Sequence, residues 1–220
     1  MKSLKQIALT IFAVAFVFII PQSGIVNKLV QLPFAYCIPV LLFIWLFLKL
    51  YKENFASLGF SFKRFEIRAV VIGTLTAILL FTFLNYVFFP LLNHIVALPH
   101  PNLKDFDNIR HNTANYIFVL LMGWIVGGIY EEIVFHGFIF TRLEKLFGGK
   151  NAVVISFWIT NIIFGLYHIQ LGAEGIINAF LAGLVYHALM LRYKRNIWYA
   201  VICHAVFDTI ALTFIYLGIW

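Results

Sequence analysis

Apolar runs alternate with short polar or basic connections along the whole chain. A helix that crosses a bilayer takes about 20 mostly apolar residues. The pattern predicts seven such segments, at about 6–20, 30–48, 69–89, 115–141, 151–170, 175–191 and 196–218. Pro90 is expected to end the third. Between the second and third, Lys52, Glu53, Lys63, Arg64 and Glu66 are interleaved with Phe55, Leu58, Phe60, Phe62 and Phe65. That mixture reads as an interfacial segment, 51–66, whose cations snorkel toward water. Residues 91–114 are polar and contain Pro, and read as a plain solvated loop. The fold class is therefore all-α: a polytopic membrane helix bundle of about seven transmembrane helices in one integral domain, 1–220.

Composition narrows this further. The chain is 63% apolar and 11% charged, whereas soluble domains carry about 25% charged residues. The net charge of +7 does not point to nucleic acid, because the basic residues sit in short clusters between apolar runs. With the amino terminus inside, 13 Lys and Arg fall on the inner face: Lys2, Lys5, Lys49, Lys52, Lys63, Arg64, Arg68, Arg142, Lys145, Lys150, Arg192, Lys194 and Arg195. Three fall outside: Lys28, Lys104 and Arg110. The excess predicts amino terminus in and carboxyl terminus out, with a bacterial cytoplasmic membrane as the expected setting. The first apolar run is expected to be retained as a span rather than cleaved as a signal peptide. Cys37 and Cys203 lie within apolar runs without metal-type spacing and read as small buried hydrophobes.

Against this background, Tyr130-Glu131-Glu132-Ile133-Val134-Phe135-His136 stands out. Each acid at the centre of a membrane helix costs roughly 2.5–3.5 kcal/mol. Two adjacent ones call for a partner, a wet cavity or a chemical task. His168, His187, His204 and Asp208 also fall within predicted spans, all in the second half. Residues 1–114 then read as scaffold or gate helices with the interfacial segment, and 115–220 as the helices that carry any site.

Helical spacing sorts these groups, since residues four apart share a face. Glu132 and His136 form one such pair, which leaves Glu131, about 100° away, to face a cavity. His204 and Asp208 form another, in which the Asp is expected to fix the imidazole tautomer. Phe164 lies four before His168, with Asn161 a further turn back on the same face. His187 has no acid at helical spacing and reads as a helix-packing donor. A carboxylate in a low-dielectric cavity can serve as a general base. Two chemistries stand open: Glu131, His168 and His204 as ligands of Zn²⁺ with one open position, or the same imidazoles as metal-free donors to an oxyanion. Proton-coupled transport is a further reading of intramembrane Glu, His and Asp, and a catalytically idle immunity or scaffold protein a third. The His-Glu-x-x-His and Gly-x-Ser-x-Gly signatures are absent.

Three short motifs resemble the CPBP family, the CAAX-prenyl endopeptidase type II, bacteriocin-processing or Abi membrane proteases. That family's pattern is Glu-Glu-x-x-x-Arg, then Phe-x-x-x-His, then His-x-x-x-Asn/Asp. Here it is met by Glu131-Glu132-Ile133-Val134-Phe135-His136, by Phe164-Gly165-Leu166-Tyr167-His168 and by His204-Ala205-Val206-Phe207-Asp208. His136 stands where the family has Arg. The resemblance implies hydrolysis of peptide bonds in or near the membrane. Glu131 would activate water, and His168, His204 and Asp208 would complete the site, supported by Glu132, His136, Phe164 and Asn161. It implies lipid and a peptide or prenylated-protein substrate as partners, with zinc or no cofactor, and leaves the oligomeric state open. Counted from the inner ends of their spans, His168 lies roughly 25 Å deep and His204 roughly 12 Å. A bend at Gly165 is the expected way for them to meet.

Overall fold

The computed structural model describes residues Leu4–Trp220, so Lys2 of the inner-face count lies outside the described residues. The described chain is all-helical. Its helices are α1 (Leu4–Ser23), the short α2 (Ile25–Val30), α3 (Cys37–Leu50), α4 (Ile67–Ile95), α5 (Thr113–Phe147), α6 (Ala152–Tyr167), α7 (Gly172–Arg192) and α8 (Trp198–Tyr216).

Seven of these correspond to the predicted segments, but only five are long and apolar enough to cross a membrane. The exceptions are α3, with 14 residues, and α6, with 16. At 1.5 Å per residue they reach about 21 and 24 Å, short of a hydrocarbon core of about 30 Å. Apolarity extends beyond their ends, so hydropathy overstated them.

Pro90 does not end α4, contrary to expectation. The helix changes to i→i+5 bonding over Leu84–Phe88, and Pro90 falls in the first turn of the α-helical segment Phe89–Ile95 that follows. Its missing N–H is tolerated there because the local π turn absorbs the disruption.

Helix α8 is the most buried of the long helices and packs on α4, α5 and α7. The segment 51–66 forms two 3₁₀ turns, Phe55–Leu58 and Phe62–Arg64, and straps one end of the bundle. Glu53, Arg64 and Glu66 are held by partners rather than merely extended toward water. Glu53 accepts from Arg142 and Lys145, and Arg64 donates to the carbonyls of Lys194 and Arg195. Tyr199 donates to Glu66 at 2.8 Å, and Arg195 makes a bidentate pair with Glu144 at 2.7 and 2.8 Å. Partial burial alone would raise the Glu53 carboxyl, but the hydrogen bonds and charges of Arg142 and Lys145 outweigh it and hold Glu53 below the usual carboxylate range. At the opposite end Arg110 pairs with Asp107 and donates to the Trp220 carbonyl. These two clusters fall on the two sides that the charge count separated.

Candidate active site

The site is built on the middle of α5, which is not an ordinary α-helix. Gly123–Glu131 and Ile133–Ile139 are π-helical, with Glu132 between them. Such stretches are uncommon and concentrate at functional sites. Here they set Glu131 on a cavity wall and Glu132 in the solid interior. Gly127, on the same wall, leaves room for Asp208: a Cβ there would lie 2.5 Å from Asp208 Oδ2, which would have to move, and 3.5 Å from His204 Nε2.

The cavity is about 640 Å³ and is lined by Glu131, His168, His204 and Asp208 among mostly apolar side chains. On it, His168 Nε2 lies 3.7 Å and His204 Nε2 4.0 Å from Glu131 Oε2. These separations are too long for hydrogen bonds and suit a water oxygen held between carboxylate and imidazoles. Each imidazole is anchored from behind. His168 Nδ1–H donates to the Phe164 carbonyl at 2.9 Å, and His204 Nδ1 lies 2.9 Å from Glu132 Oε1. Both rings therefore turn Nε2 toward Glu131.

This corrects one expectation. Asp208 was assigned to fix the His204 tautomer, but Glu132 holds Nδ1, and Asp208 Oδ2 stands 3.5 Å from the cavity-facing Nε2. A partner 72 positions away cannot be found from helical spacing.

The expected pair, Glu132 Oε2 and His136 Nδ1, is present at 2.6 Å with both side chains fully buried. Glu132 is thus a hub between two imidazoles. Behind it, His136 Nε2 lies 3.3 Å from Asn161 Oδ1, and Asn161 Nδ2 lies 3.1 Å from His187 Nδ1. His187 does bond across helices, as a packing histidine would. Its partner, however, joins it to the site, a link that no helical spacing reveals. Phe164 packs its ring against those of His168 and His204, at centroid distances of 4.9 and 5.9 Å.

The two histidines meet without a bend at Gly165. Helix α6 runs unbroken to Tyr167 and puts His168 at its C-cap, beside the cavity. Gly165 serves close approach instead, since a Cβ would meet Phe180 Cβ at 2.9 Å and the Ile176 carbonyl at 3.1 Å.

The first half supplies wall. Pro21, Gln22, Phe34, Tyr36, Asn85 and Phe89 line the cavity, while α1, α3 and α4 contribute no acid or His to it. The connection after α4 is not a free solvated loop. Pro101, Leu103 and Phe106 line the cavity, and the Asn102 N–H donates to the Leu171 carbonyl at 3.1 Å.

Zinc takes His and carboxylate ligand atoms at about 2.0–2.2 Å. Among the described residues no three His, Cys, Asp or Glu side chains gather in an arrangement that holds a metal ion. Glu131, His168 and His204, with their Nε2 atoms 3.7 and 4.0 Å from Oε2, are not among such groups, and no step below passes through a metal.

Residues 113–210 match the family model described as type II CAAX prenyl endopeptidase Rce1-like. This is the family that the three motifs resemble, and the match lies in the second half of the chain. The matched segment runs from the start of α5 to Ile210 in α8 and so contains every acid and imidazole of the Glu131–Glu132 site. It implies a membrane endopeptidase of the CAAX type. No curated protein and no solved structure matches the chain.

Proposed function

We propose that this protein is a membrane-embedded endopeptidase in which Glu131 activates water for attack on a peptide bond. The observation that carries the reading is one carboxylate oxygen facing two back-anchored imidazoles at 3.7 and 4.0 Å across a cavity wall. Glu131 takes a proton from water as the oxygen adds to the substrate carbonyl carbon. His204, as an imidazolium whose Nδ1–H is held by Glu132, donates from Nε2 to the oxygen of the tetrahedral intermediate. The proton held by Glu131 passes to the leaving nitrogen as the C–N bond breaks. Asp208 offers His204 Nε2 a second acceptor from the rim.

The mostly apolar cavity suits a substrate with a lipid-like or apolar part, and the family's CAAX character points to a prenylated peptide. The positive-inside excess supports amino terminus in and carboxyl terminus out. The test uses the full chain in liposomes with a peptide supplied prenylated or bare, with and without a chelator. The reading expects cleavage of the prenylated peptide that survives the chelator. Cleavage lost to the chelator and restored by zinc would overturn the metal-free step. Substrate-driven proton flux without cleavage would replace the reading with transport.

A further inference from the structure

The polar chain behind Glu132 has a direction that one backbone atom decides. Asn161 Nδ2 donates to the Phe157 carbonyl at 2.7 Å, and a carbonyl can only accept. The amide is thereby oriented. Its second hydrogen goes to His187 Nδ1 at 3.1 Å, and Oδ1 faces His136 Nε2 at 3.3 Å. An amide oxygen only accepts, so His136 carries a proton on Nε2. Its other nitrogen lies 2.6 Å from Glu132 Oε2, a contact that itself contains a proton. Ring and carboxylate together therefore hold one proton more than a neutral imidazole and a carboxylate, and the fully buried pair is net neutral. His187, which accepts on Nδ1, is neutral, so its ring lies 4.8 Å from that of His136, tilted by 51°, without charge repulsion.

We infer that Asn161 and His136 are positioning residues of the site. Asn161 makes His136 the cation that neutralises Glu132, which leaves the other Glu132 oxygen to hold His204 and aim its Nε2 at Glu131. Other ionisable groups near His136 are Tyr186 and His187 from α7, and His204 from α8 through Glu132. Among the described residues no Lys or Arg hydrogen-bonds Glu132, so the positive charge beside it comes from imidazole. The purpose given to this arrangement rests on the endopeptidase reading; the protonation pattern does not.

The experiment is ¹⁵N spectroscopy of the full chain, labelled at histidine and held in lipid bilayers at neutral pH, with the His136 signals assigned by their loss in His136→Gln. Two protonated ring nitrogens are expected. Asn161→Leu should reduce them to one and lower peptide cleavage about 10–100-fold, the usual effect of losing such a supporting contact. Asn161→Asp keeps an acceptor and should keep both protons. One protonated nitrogen in the native protein would overturn the inference, as would a native spectrum in the Leu variant or a lost proton in the Asp variant. The native and Asp spectra decide it even if the Leu variant does not fold. A chain that shows both protons yet cleaves no peptide would end the endopeptidase reading and leave this one standing.

Discussion

The two adjacent glutamates of α5 face opposite environments. In front, Glu131, His168, His204 and Asp208 stand 3.5–4.0 Å apart on a cavity, and Glu131 Oε2 is buried without a hydrogen-bond partner. Behind, Glu132, His136, His204 and Asn161 are joined at 2.6–3.3 Å with almost no exposure. The rear is a satisfied network of the kind that rigidifies a fold. The front has unspent hydrogen-bonding capacity, which is what a reacting group needs. Two π-helical stretches that meet at Glu132 let neighbouring residues of one type divide the work, one holding and one reacting.

The strongest way to break this contrast is Glu132→Gln. It strands the His136 charge inside the bundle, and removing one partner of a buried pair costs about 3–5 kcal/mol. Denaturant unfolding in detergent measures this, and a loss under about 1 kcal/mol would deny the rear its structural part. Gly127→Ala acts on the front instead. Its Cβ, 2.5 Å from the present position of Asp208 Oδ2, would displace that carboxylate from beside His204. Cleavage should fall about 10²-fold, as a displacement near 1 Å can cause, with the melting temperature changed far less.

Glu53 provides a control remote from both regions. Its folded value is depressed, so its contribution is present above the unfolded value of about 4.3 and is lost as pH falls through the lower folded one. Melting temperature followed from pH 6 to pH 3 should drop in that acid window, and Glu53→Gln should flatten the drop. The smallest effect belongs to Asn102→Ala. It removes only two long side-chain bonds, to the Gln170 carbonyl and from the Lys104 N–H, both 3.4 Å, and should change stability by about 1 kcal/mol or less. Hydrogen exchange should nonetheless quicken over residues 101–109.

What the sequence showed of this site follows the range of local geometry. The Glu132–His136 pair and the shared face of Asn161, Phe164 and His168 are set by helical spacing, which is visible in a string of letters. The bond from His204 to Glu132 and the place of His187 depend on how α5, α6, α7 and α8 pack, which spacing does not encode. The lengths of α3 and α6 were overstated because apolar residues continue past their ends. Pro90 misled because a π turn preceding it was not foreseen. The loop after α4 looked polar enough for solvent, yet Pro101, Leu103 and Phe106 turn inward over the cavity.

The division between the two glutamates is tested most directly by Glu131→Gln, measured as cleavage of a membrane-held peptide per folded molecule alongside the melting temperature. Removing a positioned general base should lower the rate about 10²–10⁴-fold, with melting at or above the native temperature because an unpaired buried carboxylate has gone. Native-rate cleavage by this variant would contradict the account, and so would a loss of activity that merely tracks unfolding.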